Sequence, residues 1–197
     1  MKSNIWLRRQ LKDPFVKKAQ KSGFLSRAAF KLIEIENRYK VITKSHNILE
    51  LGSAPGGWSQ VVLKINKSAK IDAFDLLNMK FKHKNINFIK QDFLNFDFRS
   101  LNKKYDLILC DLLPNSSGHK LTDHLKISTL IKEIYEIINF ISNKKSDFVF
   151  KILKGKEEKE ILSLYKKKYE KIEYFKPVSS RKNSSEIYIV AQNFTDN

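Results

Sequence analysis

The sequence predicts an α/β protein with a mostly parallel sheet and helices on both of its faces. Short apolar segments of strand length alternate along the chain with segments whose apolar residues recur at helical spacing. This alternation is typical of a doubly wound sheet, because two parallel strands need a crossover that is usually a helix. The length of 197 residues, with 42% hydrophobic content and no internal repeat, predicts a single domain over residues 1–197.

In the first half of the chain, the spacing of the apolar residues alternates between patterns typical of helices and of strands. RAAFKLIEIENRY has helical spacing, HNILEL is a short apolar run, and the polar and apolar residues of WSQVVLKI again fit a helix. Three further strand-like runs follow, of which YDLILCDLL is entirely apolar between its acids. We therefore predict helices at 27–39 and 58–65, and strands at 46–51, 70–76, 85–91 and 105–113.

The second half continues the alternation. A long helical pattern, LTDHLKISTLIKEIYEIINFIS, leads into the apolar run SDFVFKIL, and EEKEILSLYKKKY has helical spacing again. KIEYFKP and SEIYIVAQ are rich in β-branched and aromatic residues, as strands are. These patterns predict helices at 121–142 and 157–169, and strands at 146–153, 171–177 and 185–192.

The charge of the chain points to a polyanionic partner. The net charge is +17, and its excess is concentrated in two segments: residues 1–44 carry 12 basic and 3 acidic side chains, and residues 144–182 carry 13 and 6. A nearly neutral middle between two basic segments is expected where both face a nucleic acid. A background bias toward lysine is the alternative explanation of the total charge, though it accounts less well for the clustering.

Other classes of protein are disfavoured by composition. No apolar run approaches the ~20 residues of a transmembrane helix, and MKSNIWLRRQ lacks the apolar segment of a secretory signal, so we expect an intracellular protein without a membrane partner. The single cysteine, Cys110, cannot form an internal disulfide, and no Cys/His group has zinc-ligand spacing. We therefore predict no metal.

The stretch LGSAPGGWSQ contains three of the six glycines and follows a predicted buried strand. It is the first βα turn, where ligands of such sheets bind, but its Gly52 to Gly57 spacing differs from that of dinucleotide-binding proteins. Asp75 ends the next strand, where a carboxylate suits a ribose diol, and Asp92 is placed to accept from an adenine amine. A tight turn with two helix-capping acids remains the alternative.

Several ordered motifs carry a resemblance over nearly the whole chain. LGSAPGGWSQ, AFDLL, CDLLPNSSG, FVFKILKG, KPVSSRKNSSEIYIV and SRAAFKL together resemble the FtsJ/RrmJ family of S-adenosylmethionine-dependent RNA ribose 2′-O-methyltransferases. The resemblance implies a Rossmann-like methyltransferase fold with seven strands, of which the last is antiparallel. It also implies an S-adenosylmethionine site, which we predict at Gly52, Gly56, Trp58, Asp75, Asp92 and Asp111.

The family's catalytic Lys-Asp-Lys-Glu set is implied at Lys31, Asp111, Lys151 and Glu186. The chemistry requires such groups, because a ribose hydroxyl is a poor nucleophile until a base removes or shares its proton. We expect Lys151 to be that base. A second cation at Lys31 and burial would favour its neutral amine, with the two acids orienting the lysines. Considered one at a time, each of these residues could also be an ordinary surface charge or salt-bridge partner.

The flanking segments resemble the mitochondrial and bacterial large-subunit rRNA branch of the family. The resemblance implies a monomer acting on rRNA or an assembling large ribosomal subunit, with a mitochondrial location and the cytoplasm or nucleolus as alternatives. The alternatives in function are a tRNA ribose 2′-O-methyltransferase and a non-catalytic RNA-binding ribosome assembly factor. A dinucleotide-dependent oxidoreductase is disfavoured by the glycine spacing.

We expect the basic N-terminal helical region, residues 1–44, to help bind RNA. The predicted contacts are Arg8, Arg9, Lys12, Arg27 and Arg181. Two departures from the family pattern stand out: Leu113 replaces a common alanine, and the segment NKKS at 143–146 replaces a Pro-Gly-Gly turn. The second departure puts the loop geometry before Lys151 in doubt.

Overall fold

A computed structural model describes residues 13–112, 120–155, 157–181 and 183–195, without the side chains of residues 120, 121, 123 and 124. The described residues form one sheet with strands β1 Asn47–Leu51, β2 Lys70–Phe74, β3 Ile86–Ile89, β4 Tyr105–Cys110, β5 Ser142–Leu153, β6 Tyr169–Phe175 and β7 Glu186–Phe194. The helices are α1 Pro14–Lys21, α2 Ala28–Tyr39, α3 Gly57–Ile65, α4 Lys120–Ile141 and α5 Glu158–Tyr165, with short 3₁₀ turns at Phe93–Asn95 and Phe98–Leu101.

The order of the seven strands is β3-β2-β1-β4-β5-β7-β6. Neighbouring strands from β3 to β5 are parallel, whereas β7 pairs antiparallel with both β5 and β6. The predicted Rossmann-like fold with an antiparallel last strand is therefore confirmed. The order reverses between β1 and β4, and the carboxyl ends of strands beside such a reversal form the usual ligand crevice of these sheets.

The sheet is covered on both faces by helices whose apolar residues face it. On one face, α4 contributes Ile131, Ile134 and Ile138, a spacing of three and four residues that places them on one stripe of the helix. On the other face, α2 contributes Leu32 and Ile35 beside the apolar residues of α3. All five residues are fully buried. The residues of α2 thus lie within the body of the domain, although they belong to the predicted N-terminal region.

The segment NKKS is part of β5. The helix α4 ends at Ile141 and the strand begins at Ser142, which pairs with Tyr105 before a shift in register brings Asp147 opposite Leu107. Lys145 has a φ of +64°, so the chain bends within this irregular start of the strand. The predicted strand began four residues later, at 146. The other departure noted in the sequence, Leu113, lies outside the described residues.

The other predicted elements differ from the observed ones mainly at their ends. The helix predicted over 157–169 ends at Tyr165, because the three lysines that follow form a turn before β6 begins. No helix in the described ranges is long and apolar enough to cross a membrane.

Candidate active site

Lys151 and Asp111 form an ion pair at the carboxyl end of the sheet. Asp111 directly follows β4, and Lys151 lies on β5 next to it, since Cys110 pairs with Phe150. The ammonium of Lys151 donates to Asp111 Oδ1 at 2.9 Å and to the Asp111 backbone oxygen at 2.8 Å. Only 5% of the Lys151 side chain is exposed. The pair is therefore held in one geometry by two hydrogen bonds in a largely water-free position.

Lys31 and Glu186 form the second pair. Lys31 lies in the first turns of α2, and Glu186 begins β7, 155 residues later in the chain. The Lys31 ammonium lies 2.9 Å from Glu186 Oε1 and 3.0 Å from Oε2, so it contacts both carboxylate oxygens. The structure thus brings together all four residues of the predicted catalytic set, as two lysine–carboxylate pairs.

Tyr188 joins the two pairs and was not singled out by the sequence. It lies directly opposite Lys151 in the β5–β7 ladder, and its hydroxyl donates to Asp111 Oδ1 at 2.6 Å. The ammonium of Lys31 lies 5.6 Å from the centre of its ring. A sequence signal did exist: Tyr188 follows Glu186 by two residues on one strand, and alternate strand residues share a face.

The charges of the cluster determine the protonation of its acids. Burial opposes ionisation of Asp111, but the charges of Lys151 and Lys31 and the hydrogen bond from Tyr188 outweigh it, so the pKa of Asp111 lies below its ordinary value. Burial likewise opposes ionisation of Glu186, and Lys31 outweighs it, so this pKa is also lowered. Burial raises the pKa of Tyr188 well above its ordinary value, and the nearby acids raise it further. The site therefore holds two carboxylates and a phenol that stays a donor.

Glu50 is a buried carboxyl behind this cluster that the sequence analysis missed. It lies on β1 and accepts a hydrogen bond from the Ser59 hydroxyl of α3. Burial raises its pKa to about 8, and the negative charges of Asp111 and Asp75 raise it as well. The signal in the sequence was one acid among the apolar residues of the strand NILEL. At neutral pH Glu50 is therefore mainly a neutral carboxyl, whereas Asp111 is ionised.

The glycines of the first turn are required by close contacts with other parts of the chain. Gly52 has a φ of +80°, and a Cβ there would lie 2.7 Å from the Leu112 side chain. Gly56 has a φ of +110°, and a Cβ would lie 2.5 Å from Cβ of Phe81. Larger residues would strain the backbone and clash at both positions. The turn is thus packed between the segment after β4 and the segment after β2.

A cavity of about 480 Å³ lies beside this turn, at the carboxyl ends of β1, β2 and β4. Its lining includes Gly52 and the three acids Asp75, Asp92 and Asp111, with apolar residues between them, and none of the described lining residues is Lys or Arg. A cavity with several carboxylates and no cation does not suit the phosphates of a dinucleotide. It does suit S-adenosylmethionine, which carries positive charge and no phosphate.

Asp75 and Asp92 are both held by backbone groups in this cavity. Asp75 accepts from the Ala54 N–H and the Leu77 N–H, each at 2.8 Å, so both carboxylate oxygens are oriented. Asp92 Oδ1 accepts from the Leu94 N–H at 3.1 Å and caps the first 3₁₀ turn. Each carboxylate oxygen has two lone pairs, so these contacts leave acceptor capacity toward the cavity. Capping and ligand binding are therefore compatible at both acids.

Two residues of the predicted cofactor set are not among the described lining residues of the cavity. Trp58 is buried on α3, where its indole N–H donates to the Ala28 backbone oxygen at 2.8 Å and its ring lies 5.9 Å from that of Tyr188. Gly56 lies at the outer side of the turn, against Phe81. In this structure Trp58 joins α3 to α2 and supports the turn from within the core.

Comparison with known proteins places the chain in a family. Residues 24–194 match the model of the FtsJ-like methyltransferases. The chain belongs to the FtsJ-like methyltransferase family. The family resemblance predicted from the motifs is therefore confirmed, as are the enzyme class, an RNA methyltransferase, and the cofactor, S-adenosylmethionine.

Similar FtsJ-like proteins include bacterial enzymes and a solved structure. Ribosomal RNA large subunit methyltransferase E of Rickettsia bellii (strain RML369-C) is 40% identical, over 97% of this chain and 88% of its own length. The protein of the same name from Rickettsia typhi (strain ATCC VR-144 / Wilmington) has the same identity and coverage. A crystal structure described as a ribosomal RNA methyltransferase from Plasmodium falciparum is 28% identical, with a TM-score of 0.76 over 87% of this chain and 98% of its own.

The predicted RNA contacts of this FtsJ-like chain have different environments. Arg27 donates to Asp13 and to the Ser179 backbone oxygen, and only 14% of its side chain is exposed. Arg181 contacts the same Asp13 carboxylate at 3.1 Å and is 42% exposed. The guanidinium of Arg27 therefore fastens the start of α1 to the loop between β6 and β7. Arg8, Arg9 and Lys12 lie outside the described residues.

Proposed function

We propose that this chain methylates a ribose 2′-hydroxyl of large-subunit ribosomal RNA, with Lys151 as the group that takes up or shares the hydroxyl proton. The observation that carries the proposal is the Lys151–Asp111 pair, whose carboxylate lines an acidic cavity without a Lys or Arg among its described lining residues. The names of the bacterial relatives favour ribosomal RNA over the tRNA alternative. A non-catalytic assembly factor would have no need for two largely buried lysine–carboxylate pairs, one of which reaches that cavity.

The geometry at Lys151 suits a base. Asp111 provides two acceptors for it, the backbone oxygen and Oδ1. A neutral amine has two N–H donors and one lone pair, so when both donors are directed to Asp111 the lone pair points away from it. A hydroxyl placed there would donate its proton to Nζ as its oxygen becomes the nucleophile.

The remaining groups position Lys151 and balance charge. Asp111 is itself held by the Tyr188 hydroxyl, so the direction of the Lys151 amine is defined by buried contacts. The Lys31–Glu186 pair adds a second cation without adding net charge, since each lysine has its own carboxylate. In this proposal Glu186 orients Lys31, and Lys31 lies close enough to influence Asp111.

The same cavity supports the proposed assignment of the cofactor residues. Asp75 is proposed to accept from the ribose diol of the cofactor and Asp92 from its adenine amine, and Gly52 and Asp111 also line the cavity. The chemistry that S-adenosylmethionine supplies when bound is an electrophilic methyl group on a positively charged sulfur. The carboxylates of the lining favour that charge, because opposite charges attract strongly where water is excluded.

The test is methyl transfer from labelled S-adenosylmethionine to three substrates: free large-subunit rRNA, isolated large ribosomal subunits and total tRNA. We expect label in the first or second, mapped to a single ribose 2′-oxygen, and none in tRNA. A Lys151→Met variant provides the inactive control. Labelled tRNA alone, or no label with any substrate, would overturn the proposal.

We propose further that the enzyme works as a monomer inside the cell. The mitochondrial location stays a prediction.

A further inference from the structure

A second cavity, of about 530 Å³, lies along the outer side of α3 and shares no described lining residue with the cofactor cavity. Its walls come from three separate segments: the loop between α1 and α2, the second half of α3 with the turn that follows, and the segment before β3. The side chains that matter here are Phe24, Lys64, Lys67, Phe81, His83 and Lys84.

Hydrogen bonds hold the three segments together. The side-chain amide of Gln60 on α3 accepts from the Leu25 N–H at 2.8 Å and donates to the Gly23 oxygen at 3.0 Å. The side chain of Asn85 donates to the Lys67 backbone oxygen at 3.0 Å, and its N–H donates to His83 Nδ1 at 3.1 Å. The cavity is therefore preformed by contacts between distant parts of the chain.

The lining combines aromatic rings with uncompensated cations. The rings of Phe81 and His83 are stacked, with centroids 6.3 Å apart and planes at 22°, and the Lys64 ammonium lies 5.2 Å from the Phe24 ring. Lys64, Lys67 and Lys84 are exposed, and within the described ranges no carboxylate lies within ion-pair distance of them or lines the cavity. Three positive charges are thus presented beside stacked rings without a counter-charge.

We propose that this cavity binds an unpaired nucleotide of the substrate RNA at a distance from the methylated ribose. Bases of single-stranded RNA stack on aromatic side chains, and lysines contact the phosphates. The inference rests on the proposed function, which supplies RNA as the substrate. A free nucleotide would use the same groups, but an open cavity beside an RNA-modifying site favours a nucleotide within the bound strand.

The second cavity lies next to the turn that also borders the cofactor cavity. Phe81 borders the cavity and also packs against Gly56 of the cofactor turn, and its N–H donates to the Pro55 oxygen at 3.3 Å. On the other side, Ser26 contacts Gly57, and α2 with Lys31 begins two residues later. The turn between β1 and α3 is therefore in contact with segments that line the second cavity on one side and with the start of the helix that carries Lys31 on the other.

The test replaces the three cations together, in a Lys64→Ala, Lys67→Ala, Lys84→Ala variant of the full chain. We expect its Kd for substrate RNA to rise about tenfold or more, and the plot of log Kd against log salt to become shallower by about 2, since each lost phosphate contact contributes ~0.7 for a single strand. The Kd for S-adenosylmethionine and the melting temperature should stay as in the wild type, because the replaced side chains are exposed and line only the second cavity.

A charge-matched control removes three exposed lysines of the nearly neutral middle of the chain, in a Lys90→Ala, Lys104→Ala, Lys126→Ala variant. These residues lie just after β3, just before β4 and on α4, and none of them lines either cavity. Equal losses of RNA affinity in both triple variants would overturn the proposal that the cavity is an RNA-binding site. The lysines would then contribute only general electrostatic attraction.

A photo-crosslinking experiment tests whether a nucleobase of the RNA occupies the second cavity. Substrate RNA containing 4-thiouridine should crosslink to the peptides that carry Phe24 or His83, and a His83→Ala variant should lose RNA affinity without a change in salt slope. Unchanged RNA binding by the lysine variant, with normal methylation, would overturn this proposal and leave the proposed function intact. If the wild type methylates no RNA, the proposed function fails, and unaltered binding of single-stranded RNA by the lysine variant would then reject the cavity too.

Discussion

The hydroxyl of Tyr188 donates to Asp111 Oδ1 at 2.6 Å, and the same oxygen accepts from Lys151 at 2.9 Å. One carboxylate oxygen thus receives two donors from adjacent strands. Because Tyr188 is fully buried, its hydroxyl has little freedom to rotate away, and Asp111 is held in the orientation that directs the Lys151 amine. Tyr188 is therefore a positioning residue for the proposed base.

A Tyr188→Phe variant should lose about tenfold or more in kcat, because a hydrogen bond to a charged group is worth ~1.5–3 kcal/mol. Relative to the wild type, the loss should grow at acid pH, since this hydrogen bond helps to lower the pKa of Asp111, which would be protonated at a higher pH without it. The matched control is Tyr165→Phe, which removes a buried hydroxyl that donates to the Ile131 oxygen on the other face of the sheet. Loss of stability without a change in kcat or pH profile in both variants would contradict the positioning role.

A Lys151→Met variant should have no measurable turnover, because the proposed proton acceptor is gone while the apolar stem remains. Its Kd for S-adenosylmethionine should not rise, since removing a cation next to Asp111 leaves the cavity more negative. The measurements are single-turnover methyl transfer and calorimetric binding. Lys144→Met, an exposed lysine on the same strand, provides the control. Near-normal transfer by Lys151→Met would mean that the site works by orientation alone.

The sheet and the positions of the site acids were predictable because both depend on local sequence patterns. An apolar strand that ends in a charge places that charge at the sheet edge, which held for Asp75 after β2 and Asp111 after β4. The pairing of charges was not predictable. Lys31 and Glu186 are separated by 155 residues, and only the packing of α2 against the sheet determines that they meet.

Arg27 illustrates why surface chemistry was harder to predict than the fold. A basic segment suggested RNA contact, yet burial lowers the pKa of Arg27 and its guanidinium is committed to Asp13 and Ser179. Composition counts charges but does not show which of them are neutralised inside the protein. The lysines of the second cavity were equally hidden, because Lys64 and Lys84 come together only through the loop before β3.

Asp92 and Asp97 form a matched pair that separates capping from ligand binding. Each accepts from a backbone N–H two residues later and begins a 3₁₀ turn, but only Asp92 lines the cofactor cavity. Replacing either by Ala should cost a similar ~1 kcal/mol of stability through the lost cap. Only Asp92→Ala should weaken S-adenosylmethionine binding, by about tenfold, as measured by calorimetry. If the two variants bound S-adenosylmethionine with equal affinity, Asp92 would serve only to cap the 3₁₀ turn.

Glu50 should make the stability of the protein depend on pH. Its pKa is raised from 4.5 to about 8 in the folded protein, so between these values the folded state binds a proton that the unfolded state has lost. The free energy of unfolding therefore falls as pH rises through this window, by at most about 1.4 kcal/mol per pH unit. A Glu50→Gln variant keeps a hydrogen-bond partner for Ser59. Its free energy of unfolding should not fall for this reason as the pH rises.

The measurement is urea unfolding of the wild type and Glu50→Gln at pH 5.5 and pH 7.5. The variant should gain stability relative to the wild type between the two conditions, by at most about 2.7 kcal/mol, because its amide cannot ionise. Glu133→Gln, an exposed position on α4, should show no such gain. If the difference between Glu50→Gln and the wild type were the same at both pH values, Glu50 would have to be ionised in the folded protein. The cluster around Asp111 would then carry one more negative charge than proposed.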